Sequence, residues 1–396
     1  MPDNVTPYMI PAVPGVELHH DLRTAVRDLC KGFPDSYWRQ LDAERAYPDS
    51  FVKALTHAGY LAALIPEEYG GSGLGIAEAS IILEEINRSG GNAGACHAQM
   101  YTMGTLLRHG SARQKQAWLP KIASGELRLQ AFGVSEPTTG SDTTQLRTLA
   151  VRKGDAYIVR GQKIWISRAE HSDLLLLVVR TTPIEQVKKK TEGMTLFFAD
   201  IDRNAVEVRE LHKCGRPAVD TNMLFIDNLY VALEDRVGEE GKGFSYILDG
   251  INPERILVAA EAIGMGKRAL DRAVRYAKER VVFHRPIGMN QGIQFPLADS
   301  AAKLETAELM VYKAAWLYDQ GRPCGKEANV AKYMSAEACF EAADRAMQTH
   351  GGYGYIKDYD VERYWRECRL FRIAPISQEM VLNYVGEHVL GLPRSY

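Results

Sequence analysis

The apolar residues of this chain change period twice, near residue 131 and again near residue 243, and this divides the chain into helical, strand-rich and again helical segments. In residues 1–130, the apolar positions of Phe51–Leu55 and Ala79–Ile86 recur at every third or fourth residue, the spacing of one helix face. The glycine-rich stretch Pro66–Gly75 between them reads as a loop. Residues 131–240 carry short β-branched or aromatic runs broken by polar turns: Ala156–Ile166, Leu174–Val179, Met194–Ile201, Val206–Leu211 and Met223–Val231. Over residues 241–396 helical spacing returns, in Pro253–Val282, Ile293–Gln320, Lys326–Thr349 and Gln378–Leu390. The order predicts an α+β, mainly α chain: an N-terminal helical domain, a small β-barrel-like middle domain and a C-terminal four-helix bundle with short loops.

At 396 residues the chain can hold two or three such units and bury a large core. Its longest unbroken apolar run, Leu174–Val179, falls far short of the roughly 20 residues of a membrane helix, so no membrane partner is expected. A net charge of −2 argues against nucleic acid. The six cysteines are scattered without a CxxC pair, so neither a disulfide framework nor a metal site is expected. The N-terminus has no basic stretch leading into an apolar one and no Arg/Ser-rich presequence, which points to the cytoplasm rather than the mitochondrial matrix.

Two segments carry chemistry. Phe132–Asp142, FGVSEPTTGSD, packs hydroxyls, a glycine and a proline into a turn-rich span whose backbone N–H groups are free for a ligand. Gly161–Ser167, GQKIWIS, puts an indole and a hydroxyl two residues apart on a strand, so that Trp165 and Ser167 are expected to face one side. A flat aromatic beside hydroxyl donors suits a flat heteroaromatic cofactor. No GxGxxG follows any strand, which leaves a Rossmann site unsupported.

Together these segments resemble the flavin-binding segments of the acyl-CoA dehydrogenase family, TEPxAGSD and WITN, with Ser135 for threonine and Ser167-Arg168 for Thr-Asn. Further matches follow in order: Leu64–Gly73; Lys213-Cys214-Gly215 with Asp220-Thr221 and Phe225–Asp227; Glu279-Arg280 with Phe283; Gln348–Gly354; and Val361–Arg363 with Arg366. The resemblance implies FAD. Phe132, Val134, Ser135, Gly140, Ser141, Trp165, Ile166 and Ser167 would surround its ring, with Ser167 donating to N5 and Ser135 to the pyrimidine edge. Arg280, Phe283, Gln291, Gln348, Gly351, Gly352 and Gln378 would hold its tail, Arg280 and the Gln348–Gly352 segment coming from a neighbouring subunit. A homo-oligomer, a dimer of dimers, follows from that.

The family's reaction removes an α-proton and a β-hydride from an acyl-CoA to give the trans-2-enoyl-CoA, with electrons passed to an electron-transfer flavoprotein. It needs a carboxylate near Cα. Where most members carry that glutamate, this chain has Ala374, whose backbone N–H remains to polarise the thioester carbonyl. Pro253-Glu254-Arg255 matches instead the earlier-helix glutamate of the isovaleryl- and long-chain acyl-CoA dehydrogenase type, which makes Glu254 the base. Pro253 also suits a helix start, where a first-turn glutamate favours the helix dipole. Glu261, two turns on in an apolar run, is the second choice as base, or a polariser of Glu254, or a structural partner for an arginine. Ser141, Arg255, Gln99 and Met100 are the candidate substrate contacts, the last two at the far end of a pocket suited to short or branched acyl groups. A flavin oxidase or monooxygenase on the same fold, or a catalytically silent flavoprotein serving as a binding protein, are the other readings.

Overall fold

The computed structural model describes residues 19–395, so the stretch 1–18, where the absence of a leader was expected, lies outside the described residues. Helices come first: α1 (His20–Cys30), α2 (Asp35–Glu44), α3 (Asp49–His57), α4 (Ile76–Arg88), α5 (Ala98–His109) and α6 (Ala112–Ser124). Strands follow: β1 (Leu129–Gly133), β2 (Leu149–Lys153), β3 (Ala156–Ser167), β4 (Leu174–Arg180), β5 (Met194–Asp200), β6 (Val206–Glu210), β7 (Thr221–Ala232) and β8 (Arg236–Val237). Then come α7 (Gly243–Glu279), a small hairpin of β9 (Val281–Val282) and β10 (Arg285–Pro286), α8 (Gln291–Asp319), α9 (Gly325–His350), α10 (Val361–Cys368) and α11 (Gln378–Tyr384). Local sequence sets the ends. At α6, Ser111 and Gln114 exchange side-chain and backbone hydrogen bonds in a capping box, and Gly125, at φ +79°, closes the helix.

The middle strands form one mixed sheet in the order β6-β7-β3-β2-β4-β5-β8, with β1 parallel to β4. β4 is buried along its whole length. Leu175, Leu177 and Val179 share a core with Tyr157, Phe197, Leu224 and Val231, so the sheet curls and its own strands cover that face. Leu174, Leu176 and Val178 share the opposite core with Met103, Leu106, Leu119 and Ile122 of α5 and α6. Burial on both faces explains why this strand reads as an unbroken apolar run instead of an alternating one.

In the C-terminal unit α7, α8 and α9 pack on one another, and α10 and α11 lie against α9. α4 crosses α7 so closely that a Cβ on Gly264 would fall 2.1 Å from the Glu84 carbonyl oxygen, an approach only glycine permits. This crossing sets which residues of α7 face the N-terminal helices.

Two expectations change. α7 does not begin at Pro253: it starts at Gly243 and runs through the proline, so Glu254 lies inside the helix, away from the N-terminal dipole. The helix forgoes one backbone hydrogen bond there, and packing of its buried face holds it together. The expected run Gln378–Leu390 is α11 continued by a π-helical turn, Val385–Val389.

Leu177, fully buried at the centre of the sheet's inner core, tests this packing. Leu177→Ala should cost about 2–5 kcal/mol, read as a lower urea midpoint; a loss under about 1 kcal/mol would mean that the curled sheet relaxes around the hole.

Candidate active site

The two acidic residues of α7 have opposite surroundings. Glu254 is half-buried. Burial pushes its carboxyl up to about 7, against the opposing pull of the Arg255 and Arg168 guanidinium groups. A carboxyl that titrates there is partly ionised at neutral pH, where a general base works best. Glu261 is fully buried: Oε1 accepts from His97 Nδ1, and Oε2 accepts from Arg216 Nη2 at 3.4 Å. Burial alone would raise its carboxyl, but His97 and Arg216 outweigh burial and hold it below the ordinary value. Both of its oxygens are committed, which fits the structural-partner reading of Glu261.

The turn after β1 is tied to β3 by a second buried pair. Glu136 accepts from the backbone N–H groups of Arg147 and Thr148 at 2.8 and 2.9 Å and from Lys163 Nζ at 2.9 Å. Lys163 also donates to the Val134 carbonyl at 3.0 Å, and Ile164 N–H to that of Ser135 at 3.0 Å. Phe132 leans on the Tyr101 ring at 6.4 Å between centroids. Gly140 and Ser141 lie exposed in the turn, and a Cβ on Gly140 would meet nothing within 4 Å.

Simple alternation fails at the end of β3. Lys163 pairs with Leu224 but Ser167 with Thr221, so one extra residue is looped out in a bulge between Lys163 and Ile166. Trp165 sits in this bulge at φ +64°, a backbone conformation rare for an aromatic residue, and is 63% exposed. Ile166 is buried, and Ser167 is half-buried with its Oγ 3.0 Å from Thr221 Oγ1. Trp165 and Ser167 therefore do not share a face by strand geometry.

Arg168, the next residue, is also left-handed, at φ +61°, and turns inward to 4% exposure. It donates from Nε to the Gln130 carbonyl at 3.2 Å and from Nη1 to the Gly94 carbonyl. Its charge acts on Tyr101, Glu254 and Glu261. Sequence spacing did not single out Arg168, Tyr101, His97 or Arg216; the one signal for them was Glu261 itself, a carboxylate in an apolar run that needs a cation.

A separate cleft of about 520 Å³ gathers Arg280, Gly351 and Gly352 with Tyr276, His350 and Tyr353. The Arg280 guanidinium lies 5.6 Å from the Tyr353 ring centroid, and a Cβ on either glycine would meet nothing within 4 Å. Gln348 is exposed, its carbonyl accepting from Gly351 N–H, and Gln291 is exposed at the start of α8. Phe283 is 91% exposed, with Val282, Tyr353 and Ile356 also exposed along the cleft.

Other candidate residues are engaged within the protein. The Ala374 N–H donates to the Leu370 carbonyl at 2.9 Å, because the 3₁₀ turn Arg369–Arg372 carries it within reach; it is not free for a thioester. Gln378 donates to Glu337. Met100 is packed in the helical core, and Gln99, fully buried, donates to the Leu61 carbonyl at 3.1 Å, so neither offers surface to an acyl chain. Arg255 stays beside Glu254 and donates from Nη1 to Asn252 Oδ1 at 3.2 Å. Among the described residues, no three His, Cys, Asp or Glu groups could hold a metal ion, and no helix is long and apolar enough to cross a membrane.

Three domain profiles match in succession: acyl-CoA dehydrogenase N-terminal domain at residues 17–126, middle domain at 131–229 and C-terminal domain at 241–390. The chain is 37% identical over 378 residues to acyl-CoA dehydrogenase FadE12 of Mycobacterium tuberculosis, covering 95% of this chain and 96% of the relative. It is 36% identical to the 3-(aryl)acrylate reductase of Clostridium sporogenes, covering 94% and 99%. Among solved structures, glutaryl-coenzyme A dehydrogenase in complex with glutaryl-CoA superposes with a TM-score of 0.89 at 31% identity, covering 96% of each chain.

The Glu254 carboxyl gives a pH signature. It titrates near 7 folded and near its ordinary 4.5 unfolded, so between those values the folded state holds a proton that the unfolded state has lost. That stabilisation is complete below the unfolded value and disappears as pH rises through 7. Glu254→Gln should therefore gain up to about 3 kcal/mol on the wild type between about pH 5 and pH 8. Urea denaturation at both pH values measures it, and an equal difference at both would refute the raised titration.

Proposed function

The chain belongs to the acyl-CoA dehydrogenase family of FAD-dependent oxidoreductases, and on that premise we propose that it converts a short or branched acyl-CoA to the trans-2-enoyl-CoA. The observation that carries this reading is Glu254: a half-buried carboxyl raised to about 7, beside two arginines that favour its ionised form. Ionised Glu254 takes the α-proton of the thioester, and Arg168 and Arg255 keep that form accessible at neutral pH. FAD, when bound, supplies the acceptor for the β-hydride.

The residues present suit that cofactor. Ser135, Ser167 and the N–H groups of the open turn around Gly140 and Ser141 offer donors to a ring edge, and Trp165 stands exposed beside them. Arg280, with open space at Gly351 and Gly352, suits a phosphate-bearing tail. That cleft is rimmed by exposed apolar side chains, which are unusual on a lone subunit. A second copy of the chain would cover them and share the cofactor, in a dimer or dimer of dimers. Exposed Trp165 gives an electron-transfer flavoprotein a contact near the ring. Oxygen as acceptor is the alternative, and aerobic reoxidation rates separate the two.

Two outcomes are expected. Glu254→Gln should slow anaerobic flavin bleaching by butyryl- or isovaleryl-CoA by about two to four orders of magnitude at retained FAD content, and should abolish the acid limb of kcat/KM near pH 7. Glu261→Gln should instead lower thermal stability, since it unpairs buried His97 and Arg216; the reverse ranking would move the base to Glu261.

Arg280→Ala should lose FAD on gel filtration while remaining folded by circular dichroism. Light scattering of the wild type should give at least a dimer. A stable monomer that keeps its flavin would contradict the shared site.

A further inference from the structure

The peptide between Val134 and Ser135 joins a buried cation to an open donor. Its carbonyl accepts from Lys163 Nζ at 3.0 Å. Lys163, on β3, has no exposed surface, and among the described residues it pairs with one carboxylate, Glu136, at 2.9 Å. Glu136 also accepts from the backbone N–H groups of Arg147 and Thr148, which spreads its charge away from the lysine. The peptide is trans, so its N–H points away from Lys163. Among the described residues, neither that Ser135 N–H nor the Ser135 hydroxyl has a hydrogen-bond partner. The groups beside them are spent: the Ser135 carbonyl accepts from Ile164 N–H, and Glu136 and Thr139 exchange backbone hydrogen bonds. One donor pair is thus left open on a half-buried residue, with a cation behind it.

Resting on the FAD reading above, we propose that Lys163 is a positioning residue that tunes the bound flavin: its ammonium, acting through the Val134–Ser135 peptide, strengthens the Ser135 N–H as a donor to the pyrimidine edge and favours the reduced cofactor. An ammonium on the carbonyl oxygen draws electron density along the peptide and leaves its N–H more positive, because linked hydrogen bonds polarise one another. The effect differs between the two redox forms. Oxidised flavin has a neutral ring, whereas a hydride added to the ring leaves negative charge toward the pyrimidine edge. A stronger donor there therefore holds the reduced form more than the oxidised one. Burial pushes the lysine down to about 8 against the pull of Glu136, so the ammonium persists at neutral pH.

The test is the two-electron midpoint potential of bound FAD, measured by dye equilibration on flavin-loaded protein, with the affinity of flavin-free protein for oxidised FAD beside it. Lys163→Met keeps the side chain's length and removes its charge. Lys163→Met with Glu136→Gln removes both charges; loss of a whole buried pair is often neutral for stability, so this variant decides if the single one folds poorly. Both should bind reduced FAD about tenfold less tightly relative to oxidised FAD, which reads as a midpoint about 30 mV more negative. Thr148→Val loosens the same turn by removing the hydroxyl bond to the Gln162 carbonyl at 3.2 Å, but leaves the charges in place. Its midpoint should stay with the wild type. A lysine that only rivets the turn would lower thermal stability and weaken both redox forms alike. An unmoved midpoint in the double variant, equal loss of the two forms, or a Thr148→Val shift as large as that of Lys163→Met would overturn the tuning while leaving the FAD reading intact. Wild-type protein that takes up no FAD would overturn both.

Discussion

Glu261 has no access to solvent, and its partners come from every part of the chain. His97 is contributed by the N-terminal helices, Arg216 by the strand-rich segment, and Glu261 itself by α7. Its backbone carbonyl accepts from Asn87 Nδ2 of α4 at 3.0 Å, which adds a third tie. Removing one partner of such a group leaves an uncompensated buried charge, a loss of about 3–5 kcal/mol. The three segments are therefore registered at the point where the candidate base, seven residues earlier on the same helix, has to be placed.

The same crossing is stapled further along. Arg23 of α1 donates to Glu85 at 2.6 Å, to Glu84 at 3.2 Å and to the Tyr312 hydroxyl at 2.7 Å, while Lys267 bridges Glu84 and Glu308 at 2.7 and 2.6 Å. These bonds join α1 and α4 to α7 and α8 through groups with little or no exposure. Buried charges of this kind contribute little net stability compared with apolar packing, but they tolerate few alternative arrangements. With Gly264 allowing α4 to approach α7, they hold α7 in one register against the N-terminal helices.

The middle sheet adds the groups that a helical bundle lacks. Its bulge displays Trp165 outward, and the left-handed turn at Arg168, next to Ser167, sends a guanidinium inward. Positive φ at three non-glycine residues near the site, Trp165, Arg168 and Arg216, marks backbone held by its surroundings instead of by local preference. The held backbone aims two cations at the middle of α7, where Arg168 opposes the burial that raises Glu254 and Arg216 helps hold Glu261 ionised.

The sequence by itself determined the order of helices, strands and helices, the burial of β4, and the family, because apolar period and ordered local motifs survive without tertiary context. It also singled out Glu254, since the loss of a carboxylate at Ala374 is visible in the letters. Tertiary structure decided the rest. Pro253 reads as a helix start, and only packing against α4 and α5 carries the helix through it. Strand alternation puts Trp165 and Ser167 together, and only the pairing with β7 reveals the extra residue between them. Gln99 and Met100 share their helix with Tyr101, but the face turned toward α7 and β1 is set by how three segments meet. Arg168 had no local mark, because its role depends on a carbonyl 74 residues earlier and a carboxyl on a distant helix. Long-range charge pairing has no period along the chain, so a sequence shows that Glu261 needs a cation but not which arginine answers it.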